Sequence, residues 1–129
     1  MTWLRRSTNR PFNIVLCTSC ESDQVLPTLA TLRSVIARCP HGMLVRVNCL
    51  LGSLTCASRP TGGGVMVVLQ PCSETRIPSG PAIWLGPADS PDDVRALCDF
   101  VERGAWEFDE LPDRLRAHDD HVAQAGRMN

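Results

Sequence analysis

Apolar residues along this chain fall into short runs and longer repeats that predict six regular elements. Four short runs of apolar, often β-branched residues bounded by turn-forming residues are typical of strands, and they cover residues 12–16, 43–48, 65–70 and 82–85. Two longer segments repeat apolar residues at spacings of three and four, which predicts helices over about residues 24–38 and from Ser90 to Gly104. The predicted order is therefore β-α-β-β-β-α.

Capping residues predict where both helices begin and where the second one ends. Ser22 or Asp23 can cap the first helix, because a short polar side chain accepts a hydrogen bond from an otherwise unpaired N–H group. Ser90 precedes Pro91 in the same way at the second helix, and Gly104 suits the left-handed residue that ends a helix. The buried stripe of this second helix is predicted to contain Val94, Leu97, Cys98 and Val101.

The element order predicts an α/β fold with a mixed sheet. A strand-helix-strand start implies a right-handed parallel crossover, whereas the short connection between the third and fourth strands implies an antiparallel pair. Thioredoxin-like folds have this order, and an added C-terminal helical segment is predicted to cover one sheet edge with Trp106, Phe108, Leu111 and Leu115. The predicted division is a flexible arm over 1–11, one domain over 12–117 and a flexible tail over 118–129.

Length, charge and cysteine content narrow the classes of partner. The 129 residues suit one compact core, and 13 basic against 14 acidic residues leave a net charge of -1. Neither nucleic acid nor a membrane is therefore expected as a partner. No apolar run near the N-terminus has the length of a signal-peptide core, which predicts a cytoplasmic protein. In that compartment seven cysteines indicate metal ligation or redox chemistry rather than structural disulfides.

Two cysteine pairs follow the first two predicted strands. Cys17 and Cys20 come directly after the first strand, and Cys49 and Cys56 follow the second. Four thiolates on two neighbouring loops are the ligand set of a 2Fe-2S cluster or of a structural zinc ion. A Cys-x-x-Cys between a strand and a helix is also typical of a thiol-disulfide oxidoreductase, with Cys17 as nucleophile and Cys20 as resolving thiol. The spacing alone leaves these three chemistries open.

The other three cysteines have simpler explanations. Cys98 is expected in the core, because it lies on the apolar face of the second helix and cysteine is often buried. Cys39 is expected in the turn that ends the first helix. The role of Cys72, on the loop after the third strand, stays open, while His118 and His121 are expected in the solvated tail.

Several of these segments together resemble one known family. They are the run from Cys17 to Cys20, Cys49-Leu50 leading to Cys56, the third strand, Trp84 with Gly86, Asp92-Asp93, and Leu97 with Phe100. Over about residues 13–116 the chain is similar to the thioredoxin-like 2Fe-2S ferredoxins, particularly to their small bacterial ferredoxin-domain relatives. The resemblance implies a homodimer that passes electrons to a redox partner protein, with the cluster ligated by Cys17, Cys20, Cys49 and Cys56.

One spacing differs from that family. Its members have the second pair in a tight Cys-Leu-Gly-x-Cys run, whereas six residues separate Cys49 from Cys56 here. A longer loop can still close around the cluster; if it does not, the outcomes are a fold that has lost its cluster or a cluster that recruits Cys72. The first hypothesis is a one-electron carrier rather than a stand-alone enzyme. The alternatives are a thiol-disulfide oxidoreductase and a cluster-free or zinc-binding interaction module.

Overall fold

The computed structural model describes residues 7–18, 23–47 and 64–116, which form a four-stranded sheet and two helices. The strands are β1 (Phe12–Cys17), β2 (Gly42–Val47), β3 (Val65–Pro71) and β4 (Ile83–Ala88). The helices are α1 (Val25–Arg38) and α2 (Pro91–Arg103), followed by two short 3-10 helices, Phe108–Glu110 and Asp113–Leu115. All six predicted elements are confirmed, and the predicted C-terminal helical segment consists of the two 3-10 helices.

The sheet is mixed, as predicted, and its strand order is β2-β1-β3-β4. β1 pairs with β2 in parallel, β3 runs antiparallel to β1, and β4 runs antiparallel to β3. The two helices contact each other and share one core with the sheet, so both pack on the same sheet face. The chain is therefore an α/β protein.

The core lies between this sheet face and the two helices. β1 contributes Phe12, Ile14 and Leu16, which are fully buried because side chains alternate between the two faces of a strand. The predicted buried stripe of α2 is confirmed, with all four of its residues in the core. The C-terminal segment packs against β4, an edge strand, and adds Leu111 and Leu115 to the same cluster.

Both helices have the predicted bounds, but the capping residue follows the prediction only at α2. Ser90 caps α2 by accepting a hydrogen bond from the Asp93 N–H group at 3.1 Å, and Gly104 ends it at a φ of 83°. The cap residue of α1 is Gln24, whose side chain makes no capping hydrogen bond. The expected Asp23 cap is wrong, because the Asp23 carboxylate accepts from the Gln24 side-chain amide at 3.2 Å instead. Ser22 lies outside the described residues.

Residues 7–10 pack against the C-terminal end of α2. The Thr8 N–H group donates to the carbonyl oxygen of Glu102 at 2.8 Å. The Arg10 guanidinium lies 4.1 Å from the centre of the Trp106 ring, within the range of a cation–π contact. Residues 1–6 of the predicted arm and the whole predicted tail lie outside the described residues, so their flexibility stays a prediction.

Candidate cysteine site

Cys17 is the last residue of β1 and has no exposed surface. Its register partner on β2 is Val47. The next residue, Thr18, donates twice to the Val47 carbonyl oxygen, from its N–H group at 2.9 Å and from its hydroxyl at 3.0 Å. The end of β1 is therefore hydrogen-bonded to the end of β2, at the point where the chain leaves the sheet after each strand.

The parallel pairing of β1 and β2 sends both cysteine-bearing segments out from one edge of the sheet. Val47, the register partner of Cys17, precedes Cys49 by two positions. Neighbouring strands lie about 4.8 Å apart, so the two segments begin within one strand spacing of each other. We refer to this end of the sheet, where β1 ends at Cys17 and β2 ends at Val47, as the cysteine edge. The other three predicted ligands, Cys20, Cys49 and Cys56, lie outside the described residues.

Both helices begin at the cysteine edge. α1 follows the end of β1 in sequence, and its first residue is Val25. β4 is parallel to β1, because each runs antiparallel to β3, and it therefore ends at the same edge with Ala88. α2 follows at Pro91. Since a helix N-terminus carries a partial positive charge, two such ends lie on the side of the sheet where thiolate ligands are predicted.

The N-terminus of α2 is stabilised by a carboxylate of its own first turn. Asp93 accepts hydrogen bonds from the Asp89 N–H group at 3.1 Å and from the Arg114 guanidinium. Burial acts to raise the pKa of the Asp93 carboxyl, but the hydrogen bonds from Arg114, Asp89 and Ser90 outweigh it and hold that pKa below its usual value. Asp93 is therefore ionised at neutral pH, and it joins the start of α2 to the C-terminal segment.

Cys72 lies at the opposite edge of the sheet from Cys17. The residue before it, Pro71, pairs with Phe12 at the start of β1, and the Cys72 N–H group donates to the Pro11 carbonyl oxygen at 3.1 Å. At about 3.3 Å per residue, the length of β1 separates Cys72 from Cys17 by roughly 16 Å. Thiolate ligands bond directly to the irons of one cluster, so this distance excludes the alternative in which a cluster recruits Cys72 beside Cys17.

Cys98 is a core thiol and Cys39 ends the first helix, as predicted, and the Cys39 side chain is also buried in the core. Cys39 ends α1, and its N–H group donates back into the last turn of the helix. Burial, with smaller contributions from Asp99 and Glu102, raises the pKa of the Cys98 thiol to about 12. Burial also raises the pKa of the Cys39 thiol. Because the thiolate is the form that binds metals and attacks disulfides, neither residue is suited to those roles at neutral pH.

Within the ranges 7–18, 23–47 and 64–116, no group of three or more histidine, cysteine, aspartate or glutamate side chains could hold a metal ion. Three of the four predicted ligands fall outside these ranges. The predicted four-cysteine ligand set is therefore neither supported nor contradicted by this observation.

Thr18 is the residue at this edge that the sequence analysis missed. It lies between the two cysteines of the first pair, where its identity suggested no role. A β-branched hydroxyl residue directly after a strand was the available signal. Only the register of β1 against β2 identifies the acceptor of its hydroxyl, the Val47 carbonyl oxygen.

No helix in the described parts of the chain is long and apolar enough to cross a membrane. Comparison of the chain with protein-family models, with curated proteins and with solved structures gives no match. The cysteine edge is thus the basis on which a function can be proposed.

Proposed function

We propose that this chain is a cytoplasmic one-electron carrier of thioredoxin-like topology that holds a 2Fe-2S cluster on Cys17, Cys20, Cys49 and Cys56. The observation that carries the proposal is the parallel pairing of β1 and β2, in which Cys17 lies beside Val47. The segments that carry the two cysteine pairs therefore begin at the ends of neighbouring strands, which supports a cluster with four thiolate ligands.

The topology and the helix positions add support. The strand order β2-β1-β3-β4 with β3 reversed agrees with the thioredoxin-like element order expected from the sequence. α1 begins at the cysteine edge with no acidic residue in its first turn, so the partial positive charge of its N-terminus favours an anionic centre there. The charge at the start of α2 is already offset by Asp92 and Asp93. A cluster ligated by four thiolates carries net negative charge, so the orientation of α1 suits its retention.

Cys17 suits the role of a cluster ligand because its side chain is buried and its backbone is held in place. Its side chain is fully buried, so the protein excludes water from that sulfur atom. Its backbone is held on β2 through the neighbouring Thr18. When bound, a 2Fe-2S cluster takes up and releases one electron, and the hydrogen bonding and solvent exposure around the sulfur atoms set its potential.

The two alternatives are less well supported. A nucleophilic cysteine of an oxidoreductase is partly exposed and close to a positive group, but Cys17 is fully buried. The first residue of α1 is Val25, eight positions after Cys17, so Cys17 is not in the first turn of that helix. A zinc-binding interaction module uses the same four thiolates, and metal analysis separates it from the ferredoxin proposal.

Iron and acid-labile sulfide analysis of protein purified without oxygen from iron-replete cells tests the proposal. We expect about two iron atoms and two sulfides per chain, with loss of most of both in the Cys17→Ser and Cys49→Ser variants. Cys72→Ser is the matched control, because Cys72 is also buried but lies at the opposite edge. This variant should keep the full iron content.

Other outcomes of the same experiment would contradict the proposal. Colourless, iron-free wild-type protein would refute the electron carrier, and zinc without sulfide would support the interaction module. A mixed disulfide trapped in the Cys20→Ser variant would support the oxidoreductase.

The homodimer implied by the family resemblance is part of the proposal. Its mass should be twice the 14.1 kDa of one chain. Sedimentation equilibrium at micromolar concentration measures this directly, and a single-chain mass would contradict the dimer while leaving the cluster proposal intact.

A further inference from the structure

We propose that Thr18 is a positioning residue that holds Cys17 in place by fastening the end of β1 to the end of β2. Its role in cluster retention rests on the function proposed above, whereas its effect on Cys17 does not. The inference starts from a single acceptor, the Val47 carbonyl oxygen, which receives both the N–H group and the hydroxyl of Thr18.

The two hydrogen bonds of Thr18 differ in whether they require a threonine side chain. The bond from its N–H group at 2.9 Å continues the parallel ladder between β1 and β2, and any residue except proline could make it. The bond from its hydroxyl at 3.0 Å depends on the side chain. Because Thr18 is exposed, water competes for both groups, and the second donor strengthens a strand end that would otherwise separate easily.

The contact between Thr18 and Val47 lies next to the residues of the proposed cluster site. Thr18 adjoins Cys17, and Val47 lies two positions before Cys49. A separation of the strand ends at this contact would move Cys17 away from the segment that carries the second cysteine pair. Groups that hold metal ligands in place commonly affect metal retention more than global stability.

The test uses alkylation of buried thiols in the metal-free protein, followed residue by residue with mass spectrometry. A buried thiol reacts only when its surroundings open, so its rate reports the local opening equilibrium. Thr18→Val removes the hydroxyl and keeps the β-branched shape. We expect it to raise the alkylation rate of Cys17 about two- to tenfold, the effect of one lost hydrogen bond.

Cys98 in the same sample is the internal control, because it is buried in the core and reports on wider unfolding. Its alkylation rate should stay within about twofold of the wild-type rate. The matched variant is Thr31→Val, since the Thr31 hydroxyl also donates to a backbone carbonyl, that of Pro27 at 2.9 Å, but on the surface of α1. Thr18→Ser should restore the wild-type rate at Cys17.

An unchanged Cys17 rate in Thr18→Val would overturn the proposal, and so would a parallel rise at Cys17 and Cys98. In the iron-loaded protein, Thr18→Val should shorten the lifetime of the cluster against a chelator by at least threefold, with rescue by Thr18→Ser. A cluster of unchanged lifetime would contradict the role in cluster retention. If the wild-type protein takes up no cluster, the proposed function fails, and the alkylation rates of the metal-free protein still decide the role of Thr18.

Discussion

The ion pair between Arg38 and Glu102 gives the sharpest prediction about stability. It joins the last turn of α1 to the last turn of α2 through two hydrogen bonds of 2.6 and 2.9 Å. The Glu102 side chain is 2% exposed, whereas the Arg38 side chain is 50% exposed. Arg38→Met removes the guanidinium and keeps most of the apolar stem.

The magnitude follows from this unequal burial. Breaking a fully buried ion pair costs about 3–5 kcal/mol, because the remaining charge stays in the interior. Exposed pairs contribute only about 0–1 kcal/mol. Since half of Arg38 is in water, solvent can partly replace it beside Glu102, and we expect Arg38→Met to lower the free energy of unfolding by roughly 2 kcal/mol.

Urea unfolding followed by circular dichroism measures this difference, provided that the slope of the free energy of unfolding against urea concentration is the same in both proteins. Arg33→Met is the matched control, because Arg33 is an exposed arginine on the same helix. It should change the free energy of unfolding by less than about 0.5 kcal/mol. The variant that combines Arg38→Met with Glu102→Gln should recover part of the loss. Equal stability of the Arg38→Met and Arg33→Met variants would refute the reasoning.

Two other structural contacts lead to predictions. Because the pKa of the Asp93 carboxyl is lowered in the folded protein, its contribution to stability is complete above its unfolded pKa of about 3.9 and is lost as the pH falls through the folded value. Arg114→Gln should therefore weaken the loss of unfolding free energy that occurs as the pH falls into the acid range. An unchanged pH dependence of that free energy would show that Arg114 does not set this pKa. Gly104→Ala should destabilise the protein by about 2 kcal/mol or more, since its φ of 83° is left-handed and an added Cβ would meet Thr8. Thermal unfolding measures this. A change in the free energy of unfolding below about 0.5 kcal/mol would mean that Thr8 moves aside without an energetic penalty.

Local chemistry explains which boundaries were predictable from the sequence. The start and end of α2 follow from Ser90, Pro91 and Gly104, because each acts through backbone groups within a few positions. The bounds of α1 were predicted but its capping residue was not, because several consecutive polar residues precede the helix and the side chains of Asp23 and Gln24 bond to each other.

The end of β4 shows how tertiary context overrides a local signal. The apolar run over 82–85 predicted a strand that stops at Leu85, yet β4 continues through Gly86 and Pro87 to Ala88. β4 is an edge strand, where proline is tolerated because its missing N–H group need not bond to a neighbouring strand. Whether a strand lies at the edge or the centre depends on pairing between distant residues, which no local pattern contains.

For the candidate site, the sequence by itself predicted that Cys17, Cys49 and Cys72 each come at the end of a strand, and Cys17 is the last residue of β1. Such positions follow from local apolar runs and the residues that end them. The strand-helix-strand order also predicted that β1 and β2 are parallel, whereas only the tertiary structure decided that β3 pairs with the other side of β1 and runs antiparallel to it. The segment that follows β2 therefore begins at the same edge as Cys17, and Cys72 lies at the opposite edge. The physical reason is that strand direction is set by hydrogen bonds and packing between residues far apart in the chain.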